Sequence, residues 1–220
     1  MCGYYGNTHE CPEVIDLMNQ LRLPLYPTGQ QYVMREVDGL VTAAPEGYQF
    51  GKAIWWYALK WDKGQLVPNA EITSFNARNL ESRMWREPIN ERRAVVFATE
   101  IGETQGKSHY LMKARTPLAM GALYQDYLTD AGPVRSFALI TRPAHPEFAK
   151  FHEKAMPLFL PLEQDVIEKW LDPAVPAEDP QIRHILEHPR ITSDLDVIPV
   201  GTFKRGEPIG PAQVLRRDPV

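Results

Sequence analysis

The chain has 220 residues, 44% of them hydrophobic and 24% charged, which is enough to bury one sizeable core and sets aside an intrinsically disordered protein. Two cysteines exclude a disulfide scaffold, and the longest apolar runs, such as residues 53–59, are broken well short of a bilayer span. A formal net charge of −4 does not advertise nucleic-acid binding, although a local basic groove is compatible with it.

One domain over residues 1–220 is the expectation, and 20 prolines point to many turns rather than long helices. No charged-then-apolar leader precedes Cys2, so a soluble protein of a reducing, cytoplasmic compartment with no membrane partner is expected.

Met1-Cys2-Gly3 opens the chain. Loss of Met1 would leave Cys2 as a 1,2-aminothiol whose amine (about 7.7–8.0) and thiol (about 8.5) are both partly reactive near neutrality. Such a pair can open an acyl centre through sulfur. It can also condense with an aldehyde to an imine that the thiol closes into a thiazolidine. The bland alternative is a loose terminal thiol.

After a polar stretch to Glu10, Val14, Leu17, Met18 and Leu21 recur at helical spacing from Pro12 until Pro24 stops them. Cys11, near the start of that helix, reads as an inert, half-buried thiol. Gln31–Val37 has strand composition, and Asp38-Gly39 signals a hairpin turn into a second short strand. Lys52–Leu59 is a further strand, and Trp61 sits where a loop begins. By itself a loop tryptophan beside lysines reads as a packed cover, with base stacking as the alternative.

Residues 79–86 read as a short helix closed by Pro88, carrying Arg83 and Arg86 just after Arg78; it is either a basic face or a solvated helix paired with Glu81 and Glu87. Arg93–Thr99 reads as a core strand that delivers Glu100 and Glu103 to its end before Gln105-Gly106 reverses the chain. Strands at 108–113, 117–124 and 136–141 follow at short spacing without a βαβ rhythm. A short helix over 144–154 brings His152 to its end, where a histidine alone would more often be structural. A buried strand at 156–160, an amphipathic helix from Pro161 to Leu171, a helix from Pro180 to Glu187 and a strand at 198–200 complete the elements. The basic residues Lys204, Arg205, Arg216 and Arg217 read as solvated surface. The fold class is α+β: a single domain with a mixed or antiparallel, barrel-like sheet flanked by short helices. No repeat, metal-ligand spacing or phosphate loop is present in the sequence, so no metal and no cofactor is expected.

Met1-Cys2-Gly3, then Phe75-Asn76-Ala77-Arg78 with Glu81-Ser82-Arg83-Met84, Glu103 at a strand end, His152-Glu153-Lys154 with Met156-Pro157, and Trp170-Leu171-Asp172 occur in one collinear order. In this the chain resembles the SOS response-associated peptidase (SRAP) family over nearly its whole length. The resemblance implies a single α+β domain that senses abasic sites in single-stranded DNA and forms a thiazolidine DNA–protein crosslink, with autopeptidase activity in members that remove a propeptide. It implies Cys2 as nucleophile, Asn76 holding the terminus or sugar, and Glu103 and His152 as the proton-transfer pair. DNA contacts fall to Arg78, Arg83 and Lys154 at phosphates and to Trp61 propping bases apart. The implied partner is abasic single-stranded DNA, bound by a monomer that is nucleoid-associated when on DNA.

The sequence departs from the family pattern in four places. Tyr4 replaces the arginine of Cys-Gly-Arg, so a phosphate contact is lost or replaced by stacking. Leu25-Tyr26-Pro27-Thr28 stands where the family has Asn-x-Ala-Pro, Gly102-Glu103-Thr104 where it has Tyr-Glu-Trp, and one extra residue separates His152 from Met156-Pro157. Two rivals share some of these features: an N-terminal cysteine amidohydrolase, since such domains also begin Met-Cys-Gly, and a non-catalytic single-strand-binding module.

Overall fold

The structure is a computed structural model that describes residues 3–7, 12–23 and 29–219. Along the chain come β1 (Tyr4–Asn7), α1 (Pro12–Gln20), β2 (Gly29–Tyr32), β3 (Glu36–Ala44), β4 (Gly47–Trp55), β5 (Leu59–Asp62), β6 (Gln65–Pro68) and β7 (Asn76–Ala77). There follow α2 (Pro88–Glu91), β8 (Arg93–Gln105), β9 (Ser108–Thr129), β10 (Gly132–Arg142), a 3₁₀ turn (Phe148–Lys150), β11 (Met156–Pro157) and β12 (Phe159–Leu160). The chain closes with α3 (Gln164–Leu171), α4 (Pro180–Glu187), β13 (Leu195–Val200) and β14 (Gln213–Leu215).

The main sheet runs β14-β13-β9-β10-β4-β3-β8-β1-β2, and a second pairing of β8 with β9 joins β9, β10, β4, β3 and β8 into a ring. Parallel pairing of β10 with β4 and β7 makes it mixed. The α+β expectation therefore holds. Residues of β8 are buried from Arg93 to Glu103, the pattern of a strand covered on both faces. Alternation sorts them: Val95 and Phe97 pack with Leu17, Val166, Trp170 and Ile182 of the helices, whereas Val96, Ala98 and Ile101 face Trp55, Met112 and Phe137 inside the ring.

Several local expectations are corrected. The segment read only as polar contains β1, fixed by pairing on both sides with β2 and β8. Asp38-Gly39 is a bulge inside β3, not a turn; Gly39 takes φ 103 there, and the chain reverses instead at Gly47, φ 108. The Gln31–Val37 strand is broken at Met34, φ 62. Lys63 (φ 48) and Gly64 (φ 79) form the tight turn of the β5–β6 hairpin, so Trp61 lies on a strand where a loop was expected. Residues 79–86 form successive turns rather than a helix, and Pro88 starts α2 instead of ending one, because its missing N–H costs nothing in a first helical turn. The strands expected at 108–113 and 117–124 are one strand, β9, and the helix expected over 144–154 shrinks to the 3₁₀ turn. Gln164, not Pro161, begins α3, and β14 was not expected. The stop at Pro24 and the stretch Leu25–Thr28 lie outside the described residues.

Candidate functional site

Glu103 and His152 come together from distant parts of the chain. Glu103 closes the buried run of β8, opposite Tyr110 of β9, with 1% of its surface exposed. His152 is brought in by the turn after Phe148, whose carbonyl accepts from the amides of Phe151 and His152 at 2.9 and 3.1 Å. The ring of Phe151 packs edge-on against Tyr110, 5.3 Å between centroids, which fixes this turn over the end of β8.

Two hydrogen bonds then staple the segment to β8. His152 Nδ1 lies 2.8 Å from the Thr104 carbonyl oxygen, and the Glu153 amide donates to Gln105 Oε1 at 2.7 Å. A carbonyl oxygen can only accept, so Nδ1 carries the hydrogen and Nε2 of the neutral ring carries the lone pair. Nδ1 is 3.7 Å from Glu103 Oε2, a distance beyond an ordinary hydrogen bond but close enough for mutual electrostatics.

Burial sets the protonation of this pair. Desolvation lifts the Glu103 carboxyl to about 7, opposed by the positive charge of the amino terminus and of Arg78. His152 is held below its ordinary value, first by desolvation and then by the positive amino terminus, Arg78 and Lys154, with the bond to Thr104 acting the other way. A carboxyl near 7 beside a neutral imidazole can both give and take a proton at neutral pH. Such tuning is frequent at functional sites.

Of the residues singled out in the sequence, Glu103, His152, Arg78 and Lys154 thus share one electrostatic neighbourhood. Asn76 is half-buried on β7, held beside Leu139 of β10 and two positions before Arg78. Cys2 and Cys11 lie outside the described residues, but Cys2 is covalently bound to Gly3, whose carbonyl oxygen accepts from the Val33 amide at 3.3 Å. Tyr4 pairs with Gly102, the residue next to Glu103.

Tyr4 is corrected. It is fully buried, stacked on Phe203 at 5.3 Å, and its hydroxyl is bonded to Glu100, so it has no face to offer a base. Burial and that carboxylate push the phenol far above its ordinary value. Strand alternation explains the placement: Tyr4 and Gly102 share one face of the sheet, and Glu103 necessarily points to the other. Trp61, by contrast, is 59% exposed and is no packed cover. Arg83 is exposed within the turns at 79–86 and is not among the charges that shift Glu103 or His152.

Compared with protein-family models, the chain matches that of the SOS response associated peptidase (SRAP) over residues 1–203. The chain belongs to the SRAP family. Among curated proteins, none matches. Among solved structures, this SRAP chain is similar to a Bordetella bronchiseptica protein with a TM-score of 0.64 at 18% identity, over 90% of this chain and 99% of that one. A Bacteroides thetaiotaomicron protein gives 0.62 at 19% identity over 88% and 91%, and a phage-related protein of B. bronchiseptica 0.64 at 17% over 91% and 95%. At such identities the likeness is one of SRAP fold.

Sequence reasoning missed the groups that hold this SRAP site in place: the Thr104 carbonyl, the Gln105 side chain and the Phe151–Tyr110 contact. A backbone carbonyl carries no sequence signal. Gln105 had one only in its turn position beside Gly106, which takes φ 60. Among the described residues no group of His, Cys, Asp and Glu could hold a metal, and no helix is long and apolar enough to cross a membrane.

Proposed function

We propose that this SRAP protein forms a covalent thiazolidine crosslink between Cys2, exposed by loss of Met1, and the ring-opened aldehyde of an abasic site in single-stranded DNA. The observation that carries the reading is the buried Glu103–His152 pair, with a carboxyl near 7, on which the charge of the amino terminus acts. Family membership supports it.

The α-amine of Cys2 loses a proton to Glu103 and attacks the aldehyde carbon, forming the C–N bond while the carbonyl oxygen gains a proton. Loss of that oxygen as water leaves an imine. The Cys2 thiolate then adds to the imine carbon, forming the C–S bond, and the nitrogen takes up a proton. Aldehyde and aminothiol thus yield thiazolidine and one water, with no change of oxidation state. His152, with Nδ1–H committed to Thr104, offers Nε2 to the sugar oxygen, and in its protonated form it is the donor that ring opening needs. Asn76 positions the terminus or the sugar. Arg78, Arg83 and Lys154 contact phosphates, and exposed Trp61, on a hairpin anchored where the Leu59 amide meets the Tyr127 hydroxyl at 3.0 Å, stacks on or separates bases. The protein acts as a monomer in the cytoplasm, on DNA in the nucleoid, and its peptidase chemistry is confined to its own terminus.

The test is an abasic oligonucleotide gel shift that survives boiling in detergent, paired with intact mass of the free protein. Wild type is expected to lack Met1 and give the adduct; Cys2→Ala gives none yet keeps weak, salt-sensitive binding. An adduct that depends on Cys11, or that forms with Met1 retained, would refute the mechanism.

A further inference from the structure

Beside Arg78 a groove of about 420 Å³ runs between the turns at 79–86, α2 and α4, and four arginines line it: Arg78, Arg86, Arg142 and Arg183. In a chain of net charge −4 this concentration is not expected from composition. Glu81, Glu178 and Glu187 also line it, yet among the described residues none of them lies within 4.0 Å of these guanidinium groups as an ion pair.

Two of the four arginines are built into the frame. Arg142 donates Nε to the Leu186 carbonyl at 2.7 Å and Nη1 to the Arg78 carbonyl at 3.5 Å, tying the end of α4 to the segment that carries Arg78. Burial lowers its pKa, with Glu187 and Glu81 opposing. Its Nη2 has no protein acceptor among the described residues. Arg86 donates Nη2 to the Glu81 carbonyl at 3.2 Å. Arg183 rides on α4, exposed between buried Ile182 and Ile185. That helix is fixed at its start, where Asp179 accepts from the Gln181 amide at 2.9 Å and is held by Lys169 at 2.9 Å.

A groove lined by guanidinium groups that meet no carboxylate among the described residues suits oxyanions that can be bridged bidentately. Arg142, in the groove wall, pairs with Met156 of β11, four residues after His152, so this wall is continuous with the segment that carries the candidate site. We propose that this groove binds a phosphodiester of the same DNA strand next to the abasic nucleotide, with Arg183 and Arg142 as contacts that extend the strand's path away from Cys2. This rests on the single-stranded DNA reading above.

The experiment measures affinity of undamaged single-stranded DNA across a salt series for wild type, Arg183→Gln and Arg183→Glu, with abasic crosslinking rates at saturating DNA and a thermal melt as a folding control. Arg183 is exposed, so the melts are expected to coincide. Losing one phosphate contact should lower the slope of log affinity against log salt by about 0.7. Arg183→Glu should weaken binding more than Arg183→Gln. If wild type crosslinks and both variants bind with its affinity and slope, the groove assignment is wrong while the crosslinking reading stands. If wild type neither binds nor crosslinks, both fall.

Discussion

Replacing Glu103 with glutamine should pull stability and activity in opposite directions. The carboxyl is 1% exposed and its pKa rises from an ordinary 4.5 to about 7 because burial penalises its charge. Between those values the folded protein holds a proton that the unfolded chain has released. The contribution of Glu103 to stability is therefore complete below about pH 4.5 and is lost as pH rises through about 7. At 1.36 kcal/mol per pH unit the loss is about 3 kcal/mol. Glutamine keeps the shape and cannot ionise, so the stability of Glu103→Gln relative to wild type should climb by about 2–3 kcal/mol between pH 5 and pH 8. Urea unfolding of both proteins at half-unit pH steps reads this directly. In the same variant the single-turnover rate of adduct formation should fall by roughly 10²–10⁴-fold, and the rise of the wild-type rate through about pH 7 should vanish. A stability difference that stays constant across the pH range would show that Glu103 titrates normally, and a near wild-type rate would remove it from the chemistry.

His152→Ala should slow adduct formation by roughly 10²–10⁴-fold in the same assay while leaving affinity for undamaged single-stranded DNA near wild type; loss of binding instead would mark a structural role. Arg93 is 2% exposed and donates to the carbonyls of Ile89, Asn90, Trp170, Asp172 and Val175, closing the ends of α2 and α3. Arg93→Met should cost at least about 3 kcal/mol in urea unfolding, because each buried acceptor left unpaired costs roughly 1–3 kcal/mol. Gly102→Ala would put a Cβ 2.8 Å from Phe203 and 2.9 Å from Tyr4. A loss of about 1–3 kcal/mol is expected, with recovery of much of it in the Gly102→Ala, Phe203→Ala double variant; no recovery would mean that the strain lies in the backbone.

The sequence by itself determined whatever depends on near neighbours. The apolar spacing of Val14, Leu17 and Met18 located α1, and the stretch from Pro180 to Glu187 read as the helix that α4 is. The run from Arg93 onward announced a strand buried on both faces, and the collinear motifs announced the family. The family resemblance nominated Glu103 and His152, since neither side chain carries a local sign of its partner. Only tertiary structure decided that the two meet, since the 3.7 Å approach depends on β8 pairing with β9 and on the Phe148 turn being stapled to Thr104 and Gln105. It also decided against Tyr4 as a stacking surface. A four-residue segment of polar appearance becomes a strand only when β2 and β8 satisfy its backbone from either side, and pairing then fixes by alternation which side chain is buried. Asp38-Gly39 shows the same override, for a positive φ serves a bulge as well as a turn and the neighbouring strands choose between them. The raised pKa of Glu103 belongs to tertiary structure too, because its cause is burial, which only the folded chain supplies.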